Sequence, residues 1–111
     1  MIRIAVIDDE QEEQERLLGY YQRLREEVHE DLDIHTYLSG DEFLSVQEEP
    51  FDLICLDIDM DGLDGISTAK EIRKKDEQVI IIFVTNMAQM AICGYEVQAL
   101  DFVVKPVNYY S

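Results

Sequence analysis

The chain has 111 residues, which is enough for one domain and too few for two. Hydrophobic residues make up 47% of it, so it can build a core, and a disordered chain is excluded. The net charge of −16 repels phosphate backbones and anionic lipid, so this chain alone is not expected to bind nucleic acid or membranes. Most of the acidic excess lies in residues 1–50, where we interpret it as a solvated surface.

The cysteines and the N-terminus bear on the cellular compartment. Cys55 and Cys93 are too few for a disulfide framework, and they lack the spacing of a metal site. The sequence begins Met-Ile-Arg and runs directly into a strand pattern, with no signal peptide and no apolar stretch long enough to span a bilayer. We therefore expect a cytoplasmic location.

Strand and helix patterns alternate along the chain. Strands are predicted at 2–7, 33–37, 52–56, 79–84 and 100–104, and helices at 10–28, 39–47, from about 66 to 75, and 87–96. In the first helix, the apolar residues that fall at helical spacing are Leu17, Leu18, Tyr21, Leu24 and Val28. Ser39 with Glu42 fits a capping box, and Asn86 is placed to cap the last helix. This alternation predicts a parallel sheet with helices on both faces.

Four of the apolar strand patterns stop at polar residues. The first stops at Asp8-Asp9, the third at Asp57, the fourth at Thr85 and the fifth at Lys105. In an open parallel sheet, ligands bind just outside the carboxyl ends of the strands. We therefore expect three carboxylates, a hydroxyl and an ammonium to lie close together at one edge of the sheet.

These side chains suit a magnesium-dependent phosphoryl site. Asp8, Asp9 and Asp57 would repel one another without a cation, and oxygen ligands open to water favour Mg²⁺. Asp57 is the best candidate for a nucleophile, because it ends the central strand and a glycine-bearing loop follows it. Thr85 and Lys105 can supply donors to a transferring phosphoryl group. Taken singly, Asp8-Asp9 also fits a helix N-terminus, Thr85 a strand-end cap and Lys105 a surface residue.

Two other motifs overlap Asp57. Residues 57–62 match the opening of a calcium-binding EF-hand loop, but the twelfth position is Thr68 instead of a glutamate, so we exclude that site. Leu-Asp-Ile-Asp at 56–59 resembles the nucleophile motif of haloacid-dehalogenase-type phosphatases. That motif normally closes the first strand and not the third, and it leaves Asp8-Asp9 unexplained. A small phosphatase with Asp57 as its nucleophile remains an alternative.

Four motifs together resemble the receiver domain of bacterial two-component response regulators, over essentially the whole chain. They are Ile-Asp-Asp-Glu at 7–10, Leu-Asp-Ile-Asp-Met at 56–60, Val-Thr at 84–85 and Val-Lys-Pro at 104–106. The resemblance implies an α/β, flavodoxin-like three-layer sandwich with a five-stranded parallel sheet of order 2-1-3-4-5. It also implies a phosphoacceptor that assists its own phosphorylation and dephosphorylation and is not an enzyme.

The resemblance assigns a role to each site residue. Asp57 would take a phosphoryl group from a sensor histidine kinase, and Lys105 would contact that group. Mg²⁺ would be held by Asp8, Asp9, Asp57 and the backbone carbonyl of Asp59, while Thr85 and Phe102 would be the switch residues. Two positions depart from the family pattern: Asp61 replaces a usual proline, and Asn86 replaces a usual small residue. The rival hypothesis from another class is a receiver-like module that docks partners without being phosphorylated.

Residues 94–102, Gly-Tyr-Glu-Val-Gln-Ala-Leu-Asp-Phe, further resemble receivers joined to LytTR-type DNA-binding domains of the accessory-gene-regulator kind. This implies transcription regulation, with DNA bound only through a C-terminal domain outside this chain. The sequence stops at Ser111, so we expect the final helix to be truncated. A homodimer through the helix at 87–96 and the last strand is a further expectation.

Overall fold

The computed structural model of the chain describes residues 1–46, 49–60 and 62–107. Its strands are β1 (Ile2–Ile7), β2 (Leu32–Tyr37), β3 (Leu53–Leu56), β4 (Ile80–Thr85) and β5 (Asp101–Val104). Its α-helices are α1 (Gln11–Val28), α2 (Gly40–Ser45) and α3 (Gly65–Lys75). A 3-10 helix, called here the 3-10 segment, runs from Ala88 to Val97 between β4 and β5. The predicted strands and the first three helices are therefore present, with bounds that shift by a few residues at most.

The five strands form one sheet of order β2-β1-β3-β4-β5, and all neighbouring strands are parallel. The predicted fold class and strand order are confirmed. Because every strand runs in the same direction, all five carboxyl ends lie along one edge of the sheet. That edge receives the residues that directly follow the strands.

The two faces of the sheet bury two separate cores. Alternate residues of a strand point to opposite faces. In β1, Ala5 and Ile7 join the larger core, which α2, α3 and the 3-10 segment cover. Ile4 and Val6 join the smaller core against Leu17 of α1. The uninterrupted apolar runs in the sequence arise because the strands are buried on both faces.

The apolar stripe of α1 is buried only in its N-terminal half. Leu17 is buried, whereas Leu24 and Val28 are exposed. The helix has 18 residues and is about 27 Å long, while the six-residue strand β1 spans about 20 Å. The helix therefore extends beyond the sheet, and its last apolar residues have little to pack against.

Side-chain caps begin two of the helices. The hydroxyl of Ser39 accepts from the Glu42 N–H at 3.0 Å, as predicted for α2. The Glu42 carboxylate accepts from the Leu38 N–H, one residue before the position that a capping box requires. At α3 the Asp64 carboxylate accepts from the Ser67 N–H at 2.8 Å. The predicted last residue of the second helix, Gln47, lies outside the described residues.

The fourth predicted helix is wrong in type. It is a 3-10 helix with Met87 at its N-cap, and the exposed Asn86 does not cap it. The Met87 N–H donates to Oγ1 of Thr85 at 3.2 Å, and the Arg73 guanidinium donates to the carbonyls of Val97 and Gln98 at the other end. The Thr85 contact is local, whereas the Arg73 contact comes from α3, so a tertiary contact adds to what helix propensity alone would favour here.

The residues after β5 pack back onto α1. The Tyr20 hydroxyl donates to the carbonyl of Val107 at 2.8 Å, and Val107 contacts the smaller core. The expected truncation of the final helix concerns residues 108–111, which lie outside the described residues. Within the part of the chain that the structure describes, every helix is too short or too polar to cross a bilayer.

Candidate functional site

The carboxyl edge of the sheet brings the predicted strand-end residues together. Asp8 follows β1 and Asp57 follows β3, and the Asp57 N–H donates to the Ile7 carbonyl at 3.0 Å. Lys105 follows β5, and its N–H donates to the Thr85 carbonyl at 2.9 Å. These backbone hydrogen bonds continue the sheet by one residue, so they fix where each functional side chain starts.

The ammonium of Lys105 lies among three carboxylates. Its Nζ is 2.8 Å from Oδ2 of Asp8, 3.2 Å from Oδ2 of Asp57 and 3.3 Å from Oε1 of Glu10. The side chains of Lys105, Asp8 and Asp57 are only 2–3% exposed, whereas that of Glu10 is 53% exposed. Lys105 therefore neutralises a buried acidic pair and is not a surface residue.

Four carboxylates form a compact oxygen cluster. Asp8, Asp9, Glu10 and Asp57 each offer an oxygen, and these oxygens lie within 4.8 Å of one another. The Lys105 ammonium cannot balance four negative charges, and an all-oxygen donor set next to solvent suits Mg²⁺. The residues present therefore fit a magnesium ion.

Glu10 was absent from the predicted ligand set, although it directly follows Asp8-Asp9 in the sequence. The helical pattern instead predicts it as the first residue of a helix. In the structure it occupies the N-cap position of α1 without a side-chain capping bond, so its carboxylate is available to the cluster. The available signal in the sequence was the position of Glu10, an acidic residue directly after the Asp8-Asp9 pair that ends the strand.

The protonation states of Asp8 and Lys105 follow from burial and from each other. Burial raises the pKa of Asp8 to about 6, outweighing the hydrogen bonds from Lys105 and the Glu10 N–H, and the charge of Asp57 raises it further. Burial by itself would lower the pKa of Lys105, but its hydrogen bonds and charge interactions with Asp8 and Asp57 raise that pKa above its usual value. Lys105 is therefore a permanent cation at neutral pH.

The Asp57 carboxylate has a donor on each oxygen. Oδ2 accepts from Lys105, and Oδ1 accepts from the Asp59 N–H at 3.3 Å. The side chain of Asp59 is exposed. Behind Asp57, a Cβ on Gly65 would lie 2.1 Å from the Asp57 carbonyl oxygen, so the start of α3 can approach this closely only with glycine.

The two predicted switch residues lie on neighbouring strands. Thr85 is fully buried at the end of β4, where its hydroxyl accepts from the Met87 N–H. Phe102 of β5 pairs in register with Phe83, and their ring centroids are 6.1 Å apart. Phe83 and Thr85 are two residues apart and share a face of the sheet, so Phe102 is diagonal to Thr85 on that face.

Gln14 supports the site in a way that the sequence did not predict. Its buried amide donates to the carbonyls of Asp8 and Tyr37 at 2.9 and 2.6 Å, which joins the ends of β1 and β2 to α1. Gln14 lies three residues before Leu17 on the buried stripe of α1, and that spacing was the available signal. Of the two departures from the family pattern, Asn86 is exposed and Asp61 lies outside the described residues.

A family model described as the response regulator receiver domain matches residues 4–110. The chain is a response regulator receiver domain. The receiver domain is 31% identical over 110 residues to the sensory transduction protein LytT of Bacillus subtilis, covering 97% of this chain and 44% of that protein. The predicted membership of the receiver-domain family of two-component response regulators is therefore confirmed.

Solved structures agree with this assignment. The response regulator DrrB of Thermotoga maritima is 27% identical with a TM-score of 0.83, covering 99% of the receiver domain and 48% of that chain. TrrA of Thermotoga maritima, solved in complex with Mg²⁺ and BeF, is 34% identical with a TM-score of 0.68, covering 98% of the receiver domain and 90% of that chain. The receiver domain spans less than half the length of LytT and of the transcriptional regulatory protein ResD, both from Bacillus subtilis.

Proposed function

We propose that this receiver domain accepts a phosphoryl group on Asp57 and relays the event through Thr85 and Phe102. The observation that carries the proposal is the environment of Asp57. Its buried carboxylate lies at the carboxyl edge of the sheet with Lys105 on one oxygen, the Asp59 N–H on the other and three further carboxylates beside it.

The proposed chemistry is a single phosphoryl transfer. An oxygen of Asp57 forms a bond to phosphorus, while the bond from phosphorus to an imidazole nitrogen of a histidine kinase breaks and the electron pair stays on that nitrogen. Lys105 is already within hydrogen-bond distance of Asp57, so its ammonium is placed to interact with the negative charge that arrives on the phosphoryl oxygens.

The carboxylate cluster is the proposed magnesium site. Asp8, Asp9 and Asp57 are the proposed carboxylate ligands, with the Asp59 carbonyl, and Glu10 is close enough to join them directly or through water. A bound Mg²⁺ supplies positive charge to the phosphoryl oxygens. TrrA supports this proposal, because it is 34% identical to this chain and its structure is described as a complex with Mg²⁺ and BeF.

The proposed switch begins by breaking the hydrogen bond that the Thr85 hydroxyl now accepts. The Thr85 hydroxyl is engaged by the Met87 N–H at the beginning of the 3-10 segment. If the hydroxyl turns toward a phosphoryl group on Asp57, that contact is lost and Phe102 gains room on the face that it shares with Phe83. The surface formed by the 3-10 segment and β5 then changes shape as a population shift.

We further propose that the phosphoryl donor is a cytoplasmic sensor histidine kinase domain and that the complete protein regulates transcription through a LytTR-type domain. The relationship to LytT over 97% of this chain supports this, together with the large part of LytT that the chain does not cover. The test is specific DNA binding by the complete gene product and its loss when residues after the receiver are removed.

Intact-protein mass spectrometry tests the phosphoacceptor. With acetyl phosphate and Mg²⁺ the chain should gain one phosphoryl mass, and Asp57→Asn should abolish the gain. The matched control is Asp59→Asn, which removes a nearby exposed carboxylate but keeps the backbone groups at that position. No phosphoryl gain in the folded parent chain would favour a module that docks partners without phosphorylation. Repeated turnover of a phosphomonoester would favour the phosphatase alternative.

A further inference from the structure

The side chain of Gln14, in the first turn of α1, is buried and bonded to the ends of two strands. It is 6% exposed, and its Nε2 donates to the Asp8 carbonyl at 2.9 Å and to the Tyr37 carbonyl at 2.6 Å. The Asp8 N–H donates to the same Tyr37 carbonyl at 3.1 Å. Carbonyl oxygens only accept, and an amide nitrogen has two N–H donors, so both donors of Gln14 are used and its orientation is fixed.

Residues 8–10, which supply three of the four carboxylates of the cluster, are bonded to Gln14 at both ends. The Gln14 side chain binds the Asp8 carbonyl, and the Gln14 backbone N–H donates to the Glu10 carbonyl at 3.1 Å. The Asp8 carbonyl belongs to the planar peptide group that leads into Asp9. The Gln14 amide therefore fixes the direction in which the chain enters Asp9, although it is not itself one of the carboxylate ligands.

We propose that Gln14 is a positioning residue that sets the Mg²⁺ affinity of the carboxylate cluster by holding the peptide group between Asp8 and Asp9. This inference rests on the proposed magnesium site and adds to it a residue outside the ligand set. Like charges repel, so without this hold the carboxylates of residues 8–10 would move apart, and a metal ion would have to bring them back together. Removing a group that orients metal ligands typically costs about 10–100-fold in metal affinity.

Calorimetric titration with Mg²⁺ alone, at a temperature where every variant is folded, tests the proposal. Gln14→Met keeps the length of the side chain but removes both donors, and it should weaken Mg²⁺ binding by about tenfold. Gln14→Asn keeps the amide on a side chain one methylene shorter, so it should not restore the affinity. The matched control is Leu17→Val on the same buried stripe of α1, which loses packing in the smaller core and should leave the Mg²⁺ affinity unchanged.

The Mg²⁺ dependence of phosphorylation by acetyl phosphate separates positioning from folding. In Gln14→Met the Mg²⁺ concentration that gives half the maximal rate should rise by about tenfold. The rate at saturating Mg²⁺ should stay within about threefold of the parent rate, because Asp57, Lys105 and all the proposed ligands are retained. Loss of folded protein would instead lower the rate at every Mg²⁺ concentration, and that result would overturn the proposal.

The proposal and the proposed phosphoacceptor can fail separately. If Gln14→Met binds Mg²⁺ as tightly as the parent, or if Leu17→Val loses as much affinity as Gln14→Met, Gln14 is only a packing residue and the proposal is overturned. A parent chain that binds Mg²⁺ but gains no phosphoryl mass would refute the role of Asp57, and a weaker Mg²⁺ affinity in Gln14→Met would still support the role of Gln14. A parent chain that binds no Mg²⁺ would overturn the magnesium site and this inference together.

Discussion

The Lys105 ammonium lies 2.8 Å from the Asp8 carboxylate and thereby joins the ends of β5 and β1, two strands that are not neighbours in the sheet. The same ammonium reaches Asp57 at the end of β3. One cation thus connects three of the five strands at their carboxyl ends. The connection is electrostatic, and both carboxylates are buried, so its removal has consequences for stability.

Replacing Lys105 by methionine should destabilise the metal-free protein. The substitution keeps a side chain of similar length but leaves the Asp8 and Asp57 carboxylates buried without their cation, a loss of about 3 kcal/mol. Urea denaturation at neutral pH measures it. The control Lys74→Met removes an exposed lysine that pairs with Glu71, and we expect a change below about 0.5 kcal/mol. Equal stability of the two variants would contradict the central role of Lys105.

The raised pKa of Asp8 predicts a specific pH dependence. This pKa is about 6 in the folded chain against an ordinary value of 3.8, so the folded state holds the proton more tightly than the unfolded state. The contribution of Asp8 is therefore fully present below pH 3.8 and is lost as the pH rises through about 6. Without metal, Asp8→Asn should be more stable than the parent at pH 7, by up to about 3 kcal/mol. Parallel stability profiles of parent and variant between pH 4 and pH 7 would refute the assignment.

Magnesium should raise the melting temperature of the chain. On our proposal Mg²⁺ binds the folded carboxylate cluster and not the unfolded chain, so the shift should grow with Mg²⁺ concentration. Asp9→Asn should reduce the shift, whereas Asp59→Asn should preserve it, because the structure places the Asp9 carboxylate in the cluster and does not place that of Asp59 there. Differential scanning calorimetry with and without EDTA measures it, and a shift that ignores Asp9→Asn would argue against this site.

Arg73 should control the mobility of the corner between the 3-10 segment and β5. Its guanidinium donates to the carbonyls of Asp76, Val79, Val97 and Gln98. A lysine cannot reproduce this planar set of donors, so Arg73→Lys should speed amide hydrogen exchange at residues 98–100 by about tenfold or more. Lys74→Ala, one residue along α3, should leave those rates unchanged. If both variants exchange alike, Arg73 does not hold the corner.

Two glycines should respond in opposite directions to alanine. At Gly65 a Cβ would meet the Asp57 carbonyl at 2.1 Å, so Gly65→Ala should destabilise the chain by about 2 kcal/mol or more and displace the site. At Gly19, within α1, a Cβ meets nothing within 4 Å, and Gly19→Ala should stabilise by about 0.5–1 kcal/mol. Thermal unfolding of both variants checks the pair, and a stabilised Gly65→Ala would be inconsistent with the observed packing.

The sheet and much of the carboxylate site could be predicted from the sequence, because both depend on local patterns of residues. Strands buried on both faces produce uninterrupted apolar runs, and Asp8, Asp57 and Lys105 follow three of those runs directly. Parallel topology then brings them to one edge. Pattern alone was enough to place these residues together.

The features that the sequence did not reveal depend on contacts that no pattern in the sequence indicates. The 3-10 helix at 88–97 is held at one end by Thr85, which bonds to the nearby Met87, and at the other end by Arg73 of α3. Gln14 was not singled out from the sequence, because the partners of its buried amide are the backbone carbonyls of Asp8 and Tyr37 at the ends of β1 and β2. The exposed apolar residues at the end of α1 reflect the length of the sheet, which the helix itself does not encode.

The end-to-end length of the ten-residue 3-10 segment depends on its helix type. A 3-10 helix rises about 2.0 Å per residue and an α-helix about 1.5 Å, so the same residues would be about 5 Å shorter as an α-helix. Thr85 holds one end and Arg73 the other. Conversion of the segment from a 3-10 helix to an α-helix would therefore shorten it by nearly the rise of one α-helical turn. This would bring the Thr85 hydroxyl and the Arg73 guanidinium closer together.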